Sequence, residues 1–120
     1  MIVTALLLMM SGAPDAYSNA TPLERRGMDA IGQWSACLTR NADDLAASHE
    51  SADTVADAAI GSCTHEESAV SGAWFPLYAS TDLRSADAET EAAVARMKGQ
   101  FRGKLLARLL RARLPRKPAQ

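Results

Sequence analysis

The residues in this 120-residue chain that could do chemistry are two cysteines, two histidines and fourteen carboxylates. Cys37 and Cys63 are too far apart for a CxxC redox motif, and two thiols alone do not make a structural zinc site. Cys63-x-His65 could offer two metal ligands, but His65 falls on the side of a helical wheel opposite the apolar stripe. His65-Glu66-Glu67-Ser68-Ala69 opens like a zinc-protease helix and then fails, because Ala69 stands where the second histidine must be. Asp43, Asp44, Glu50, Asp53 and Asp57 gather around His49 without the spacing of a calcium loop, and read as a solvated acidic tip. No catalytic, cofactor or metal residue is assigned on these patterns. The remaining chemistry of the two cysteines is a bond to each other.

That reading depends on the elements that must carry them. Thr21-Pro22-Leu23-Glu24 is a helix start: Thr21 caps, Pro22 suits the first helical position and Glu24 completes a capping box. Ile31, Trp34, Leu38, Ala42 and Leu45 then form a stripe at helical spacing, which ends in Ser48-His49-Glu50-Ser51. Ser51 caps a second helix carrying Val55, Ala59, Cys63, Val70 and Trp74 on one face, expected to stop near Pro76. In two antiparallel helices joined near residue 50, residues whose numbers sum to about 100 face each other. Cys37 therefore meets Cys63 within bonding reach, Leu45 meets Val55, and Trp34 meets Glu66. A bridge closing a loop of this size stabilises a fold by about 3–4 kcal/mol in the chain-entropy account.

Glu66 falls within the apolar stripe and Glu67 at its edge, so each needs a donor. The Trp34 indole or an arginine of a third helix would serve. A catalytic acid is the sharper reading of Glu66, but no nucleophile–base set accompanies it. Residues 71–85 read as a connector holding Trp74, Phe75, Leu77 and Tyr78, an aromatic plug for the end of the core. A third helix follows Ser85, with Asp87, Glu89 and Glu91 first and Lys and Arg last, as the helix dipole prefers. Val94, Met97, Phe101 and Leu105 form its stripe, and Gly99 and Gly103 weaken it by about 1 kcal/mol each. Beyond them Leu105, Leu106, Leu109 and Leu110 take one side. Lys104, Arg108, Arg111 and Arg113 take the other, and Arg116 and Lys117 follow in a loose tail, residues 115–120.

Ile2 to Met10 is apolar save for Thr4, too short to span a bilayer and of the right length for a signal-peptide core. Ser18-Asn19-Ala20 gives the small-x-small pattern of a cleavage site, so residues 1–20 are expected to be removed between Ala20 and Thr21. The n-region lacks Lys and Arg. Removal takes away only one charge, Asp15, and leaves a neutral chain with a sharp division. From Glu24 to Glu91, thirteen acidic residues stand against four arginines, whereas Arg96 to Lys117 holds nine basic residues and no acid.

Alanine makes up about a fifth of the chain, aromatics only 5% and charged residues 22%. A large sheet, a collagenous chain and wholesale disorder are excluded, and little chain is left for a deep enzyme pocket. The expected architecture is all-α: a disulfide-linked antiparallel helical hairpin in residues 21–114 with a third, basic amphipathic helix, a small three-helix bundle. Trp34-x-x-Cys37, followed by Ala59-x-x-x-Cys63 and Glu66, resembles small exported helical proteins of alanine- and arginine-rich bacterial proteomes. That resemblance implies export and a helical hairpin, and brings no activity with it.

The function expected is that of an exported, non-enzymatic interaction or structural protein of the periplasm or envelope, its partner an envelope protein. The alternative is a peripheral binder of an anionic membrane surface through residues 104–117, with Lys104, Arg108, Arg111, Arg113, Arg116 and Lys117 as its cations. A small enzyme using Glu66 or a histidine is the third reading. Nucleic acid fits poorly, since no aromatics interleave the basic residues and an exported chain would not meet it.

Overall fold

A computed structural model describes residues 17–115 of the chain. Four helices lie among them: α1 (Pro22–Leu45), α2 (Ala52–Ser62), α3 (Thr64–Ala79) and α4 (Ala86–Ala112). The fold is all-helical. α1 runs antiparallel to α2 and α3, which follow one another as a broken second rod, and α4 packs against all three. Residues 1–16 of the expected signal segment and residues 116–120 of the expected tail, with Arg116 and Lys117, lie outside the described residues.

The helix starts follow from local chemistry. Thr21 Oγ1 accepts from the Glu24 amide at 3.2 Å, and Glu24 Oε1 accepts from the Thr21 amide at 3.2 Å. Two amides that α1 cannot satisfy internally are thus bonded. Ser51 Oγ takes the Thr54 amide at 3.2 Å at the head of α2. α4 begins after Ser85, as its acidic first turn predicts, but without a side-chain cap.

The second helix of the sequence reading is two helices. Ser62 Oγ donates back to the Ala58 carbonyl at 2.8 Å, in the Gly61-Ser62 pair just before the break. Such back-bonding and such Gly/Ser pairs bend helices. The Cys63 amide then turns to the Ile60 carbonyl at 3.2 Å, and the helix restarts at Thr64.

The end of this rod also differs. Pro76 does not stop α3, which continues to Ala79. Proline inside a helix costs about 3 kcal/mol, and burying Trp74, Leu77 and Tyr78 on one helical face outweighs it. The connector expected over 71–85 shrinks to residues 80–85, closed by Ser80 Oγ donating to the Leu77 carbonyl at 2.7 Å.

The core is one cluster. Trp34 sits at its centre, fully buried, edge-on to Phe101 with ring centroids 5.1 Å apart. Val55, Ala59, Cys63, Val70 and Trp74 are all buried, as are Val94, Met97, Phe101 and Leu105. On α1 the stripe advances in steps of four through Ala30, Trp34, Leu38, Ala42 and Ala46. Leu45, which the pairing rule sets opposite the buried Val55, is 36% exposed in the last turn.

α1 and α3 approach closely at Gly27. A Cβ there would stand 2.9 Å from Trp74 Nε1, and the same indole donates to the Gly27 carbonyl at 3.3 Å. Gly99 and Gly103 have open space around the position of a Cβ. Alanine should thus act with opposite signs: Gly99→Ala and Gly103→Ala each raise stability by about 1 kcal/mol. Gly27→Ala lowers it, because pushing a buried indole costs about 1–3 kcal/mol and exceeds the helix-propensity gain. Urea unfolding of the three variants checks this, and a stabilised Gly27→Ala would refute the close approach.

Candidate functional site

Cys37 and Cys63 are bonded to each other, with Cα atoms 6.1 Å apart, and no free cysteine remains among the described residues. Both are buried. The Asn41 amide nitrogen, which the sequence reading passed over, donates to the Cys37 carbonyl at 2.9 Å and lies 3.5 and 3.4 Å from the two sulfurs. Its place one turn after Cys37 was visible in the sequence; that it covers the bridge depends on α2 being docked.

The Glu66 carboxylate lies within 4.8 Å of both sulfurs. Disulfide sulfurs are poor metal ligands, since it is the thiolate that binds, and the trio is no metal centre. Glu66 does not receive the Trp34 indole: that N–H is buried with no acceptor among the described residues. Trp34 instead makes an edge-to-face pair with Phe101, a contact that needs α4 in place. Glu67 does find the expected donor on the third helix, but it is a lysine, Lys98, at 2.9 Å. His49 and His65 are both exposed, and neither has a hydrogen-bond partner among the described residues.

The chemistry of α4 is electrostatic. Arg108 makes a bidentate pair with Asp43 of α1, Nε to Oδ1 at 2.7 Å and Nη2 to Oδ2 at 2.8 Å. Arg102, absent from the expected set of cations, bridges Asp57 at 3.0 Å and Asp53 at 2.9 Å. Arg113 donates to the carbonyls of Ala46 and Ser48, in the turn between α1 and α2, at 3.3 and 3.2 Å. The basic helix therefore binds the acidic tip of its own hairpin. Its arginines are planar forks suited to this pairing.

Arg108 holds the Asp43 carboxyl below its ordinary value through their hydrogen bond, and Asp43 in turn raises Arg108. A lowered carboxylate contributes stability above its unfolded pKa and loses it only as pH falls through the folded value. The pair is thus intact at neutral pH. Both partners are exposed, so salt screens it.

Of the six cations expected to form an outward surface, Arg108 and Arg113 are engaged internally, because the turn carbonyls and Asp43 lie within their reach once α4 docks. Arg116 and Lys117 lie outside the described residues. Lys104 and Arg111 are exposed and have no carboxylate partner among the described residues; Arg111 Nε donates only to the Ala107 carbonyl, at 3.3 Å. The leucine face divides as well. Leu105 and Leu109 are buried and Leu106 partly so, but Leu110 is 58% and Leu114 66% exposed. Leu110 lies off the buried stripe, which leads along 101, 105 and 109, and Leu114 follows the C-cap of α4 at Arg113. No helix among the described residues is long and apolar enough to cross a membrane. No protein-family model, curated protein or solved structure matches the chain, so its function is to be read from this geometry.

Proposed function

We propose that this chain is an exported, non-enzymatic interaction protein of the periplasm or envelope. The observation that carries this reading is the buried Cys37–Cys63 bridge, since disulfides persist in oxidising compartments and are rare in the reducing cytosol. The apolar run Ile2–Met10 and the Ser18-Asn19-Ala20 pattern point the same way, as does the resemblance to small exported helical proteins. Removal of residues 1–20 would leave α1 whole, because its first residue is Pro22, and would keep the Thr21 nitrogen that donates to Glu24. It would also remove Ala20, which is buried in the full chain.

The measurement that tests it is an intact mass of the natively expressed protein, with and without reductant and thiol alkylation. The expected species is Thr21–Gln120, two hydrogens lighter before reduction. A full-length chain with two free thiols would overturn export, cleavage and bridge together.

A second reading, peripheral binding to an anionic membrane surface, is favoured by one arrangement. The last turns of α4 and the residues just after them combine exposed Leu110 and Leu114 with Lys104 and Arg111, which pair with no acid among the described residues, an apolar and cationic combination suited to the head-group region.

A further inference from the structure

We infer that the groove between α1 and α4 is a phosphate site, and that its occupant is the head group of an anionic phospholipid. The inference rests on the second reading above and gives it a recognition element. Lys104, Arg108 and Arg111 recur at i, i+4 and i+7, so they line one side of α4. Opposite them, Ser35 and Thr39 bring two hydroxyls, one turn apart on α1. Phe101 and Leu105, both buried, form a floor of low polarity, over which fixed charges act more strongly than in open water.

The charges are arranged unequally. Arg108 is neutralised and held in place by Asp43 through Nε and Nη2, and Nη1 takes no part in that pair. Lys104 and Arg111 have no acid, so the groove carries two uncompensated positive charges with hydroxyl donors beside them. A phosphate diester or monoester matches that set: one or two negative charges, and several acceptor oxygens for N–H and O–H donors.

The size limits the occupant. The groove holds about 270 Å³, below the usual range of roughly 300–1,000 Å³ for sites that enclose a whole small molecule. It takes a head group and leaves the rest of the ligand outside. Leu110 in the last turn of α4 and Leu114 just past its C-cap, Arg113, are both exposed at the end of the helix that carries Arg111. An acyl region continuing from a bound head group meets these two leucines. The larger groove between α3 and α4, about 690 Å³, is lined by Glu67, Asp87 and Glu91 against one cation, Lys98. It repels the same ligand, so a membrane of anionic lipid would meet the α1/α4 side.

The test uses purified protein with its disulfide formed, and vesicles of phosphatidylcholine with and without phosphatidylglycerol. Co-sedimentation should require phosphatidylglycerol and fall as salt rises. Lys104→Gln and Arg111→Gln should each weaken it about fivefold, following roughly 1 kcal/mol for each cation near an anionic surface. Ser35→Ala with Thr39→Val, which leaves every charge in place, should weaken it about threefold, and glycerol phosphate should shift the amide resonances of Ser35 and Thr39. Leu110→Ser with Leu114→Ser should reduce vesicle binding while keeping those resonance shifts. All six positions are half-buried or exposed, and helicity by circular dichroism confirms folding of each variant.

Vesicle binding that survives the hydroxyl and cation variants but falls with the leucine variant would sink the groove and leave the membrane reading standing. Resonance shifts with glycerol phosphate but no vesicle binding would overturn the lipid as the source and make the ligand a soluble phosphate. Binding to polyglutamate with none to vesicles or glycerol phosphate would overturn both in favour of an acidic protein partner.

Discussion

Replacing Cys37 and Cys63 together with serine should lower the stability of the bundle by about 3–4 kcal/mol. The bridged residues are separated by 26 positions, which in the chain-entropy account corresponds to about 3.5 kcal/mol of lost unfolded-state freedom. Domains of this size are stable by about 5–15 kcal/mol in all, so the loss is a large part of the total. Each kcal/mol moves the midpoint of a 60–100-residue domain by about 4–8 °C, and the fall in Tm should therefore exceed roughly 12 °C. Reduction of the unaltered protein should reproduce the shift. Equal melting with and without reductant would mean that the bridge is absent from the protein in solution. The single Cys37→Ser variant should lose the bridge as completely as the double one, since it leaves Cys63 without a partner sulfur.

Trp34→Ala should cost about 3–5 kcal/mol, the range for emptying a buried aromatic site. Trp34 heads the fully buried side chains in volume, and it joins α1 to α4 through the edge contact with Phe101. The core it belongs to also holds Ala30, Ala42, Ala56 and Ala59, whose side chains are too small to fill the space. Trp34→Phe should cost less than half as much. The indole N–H already lies buried without an acceptor, so removing it takes away a desolvated donor and no hydrogen bond. Urea unfolding followed by circular dichroism measures both variants. If Phe were as damaging as Ala, the indole would have to be bonded in solution. Together these expectations assign a large share of the bundle's stability to one bridge and one aromatic contact, in a core where six of the twenty buried residues are alanine.

Several features were legible from the residues because they rest on local or one-dimensional rules. The Thr21 capping box needs only four consecutive residues, and both of its bonds form. The cysteine pairing needs only a turn position and the regular rise of two helices, and the bridge lies where that geometry puts it. The stripe Val94, Met97, Phe101, Leu105 is a matter of period, and all four are buried. Other features were not legible, and each miss has a physical cause. Pro76 reads as a stop because the cost of proline is local, while the burial of Trp74, Leu77 and Tyr78 that overrides it comes from α1 and α4. Leu110 joins the apolar side of a wheel drawn at one fixed angle, but a helix packed along two rods turns its buried stripe gradually, and 110 ends outside. Trp34 and Glu66 share a level in a flat hairpin, and a third helix placed Phe101 against the indole instead.

By itself, then, the sequence determined the helical class, the bridge, the capped start of α1 and the separation of acidic and basic halves. These follow from spacing, capping chemistry and composition, which act within a few turns of one chain. Only the tertiary structure decided how the charges are used. Docking α4 places Arg102, Arg108 and Arg113 on the hairpin's acidic tip and turn, and it leaves Lys104, Arg111, Leu110 and Leu114 to the outside. That division depends on distances between side chains more than forty residues apart, and the sequence carries no such distances until the core closes.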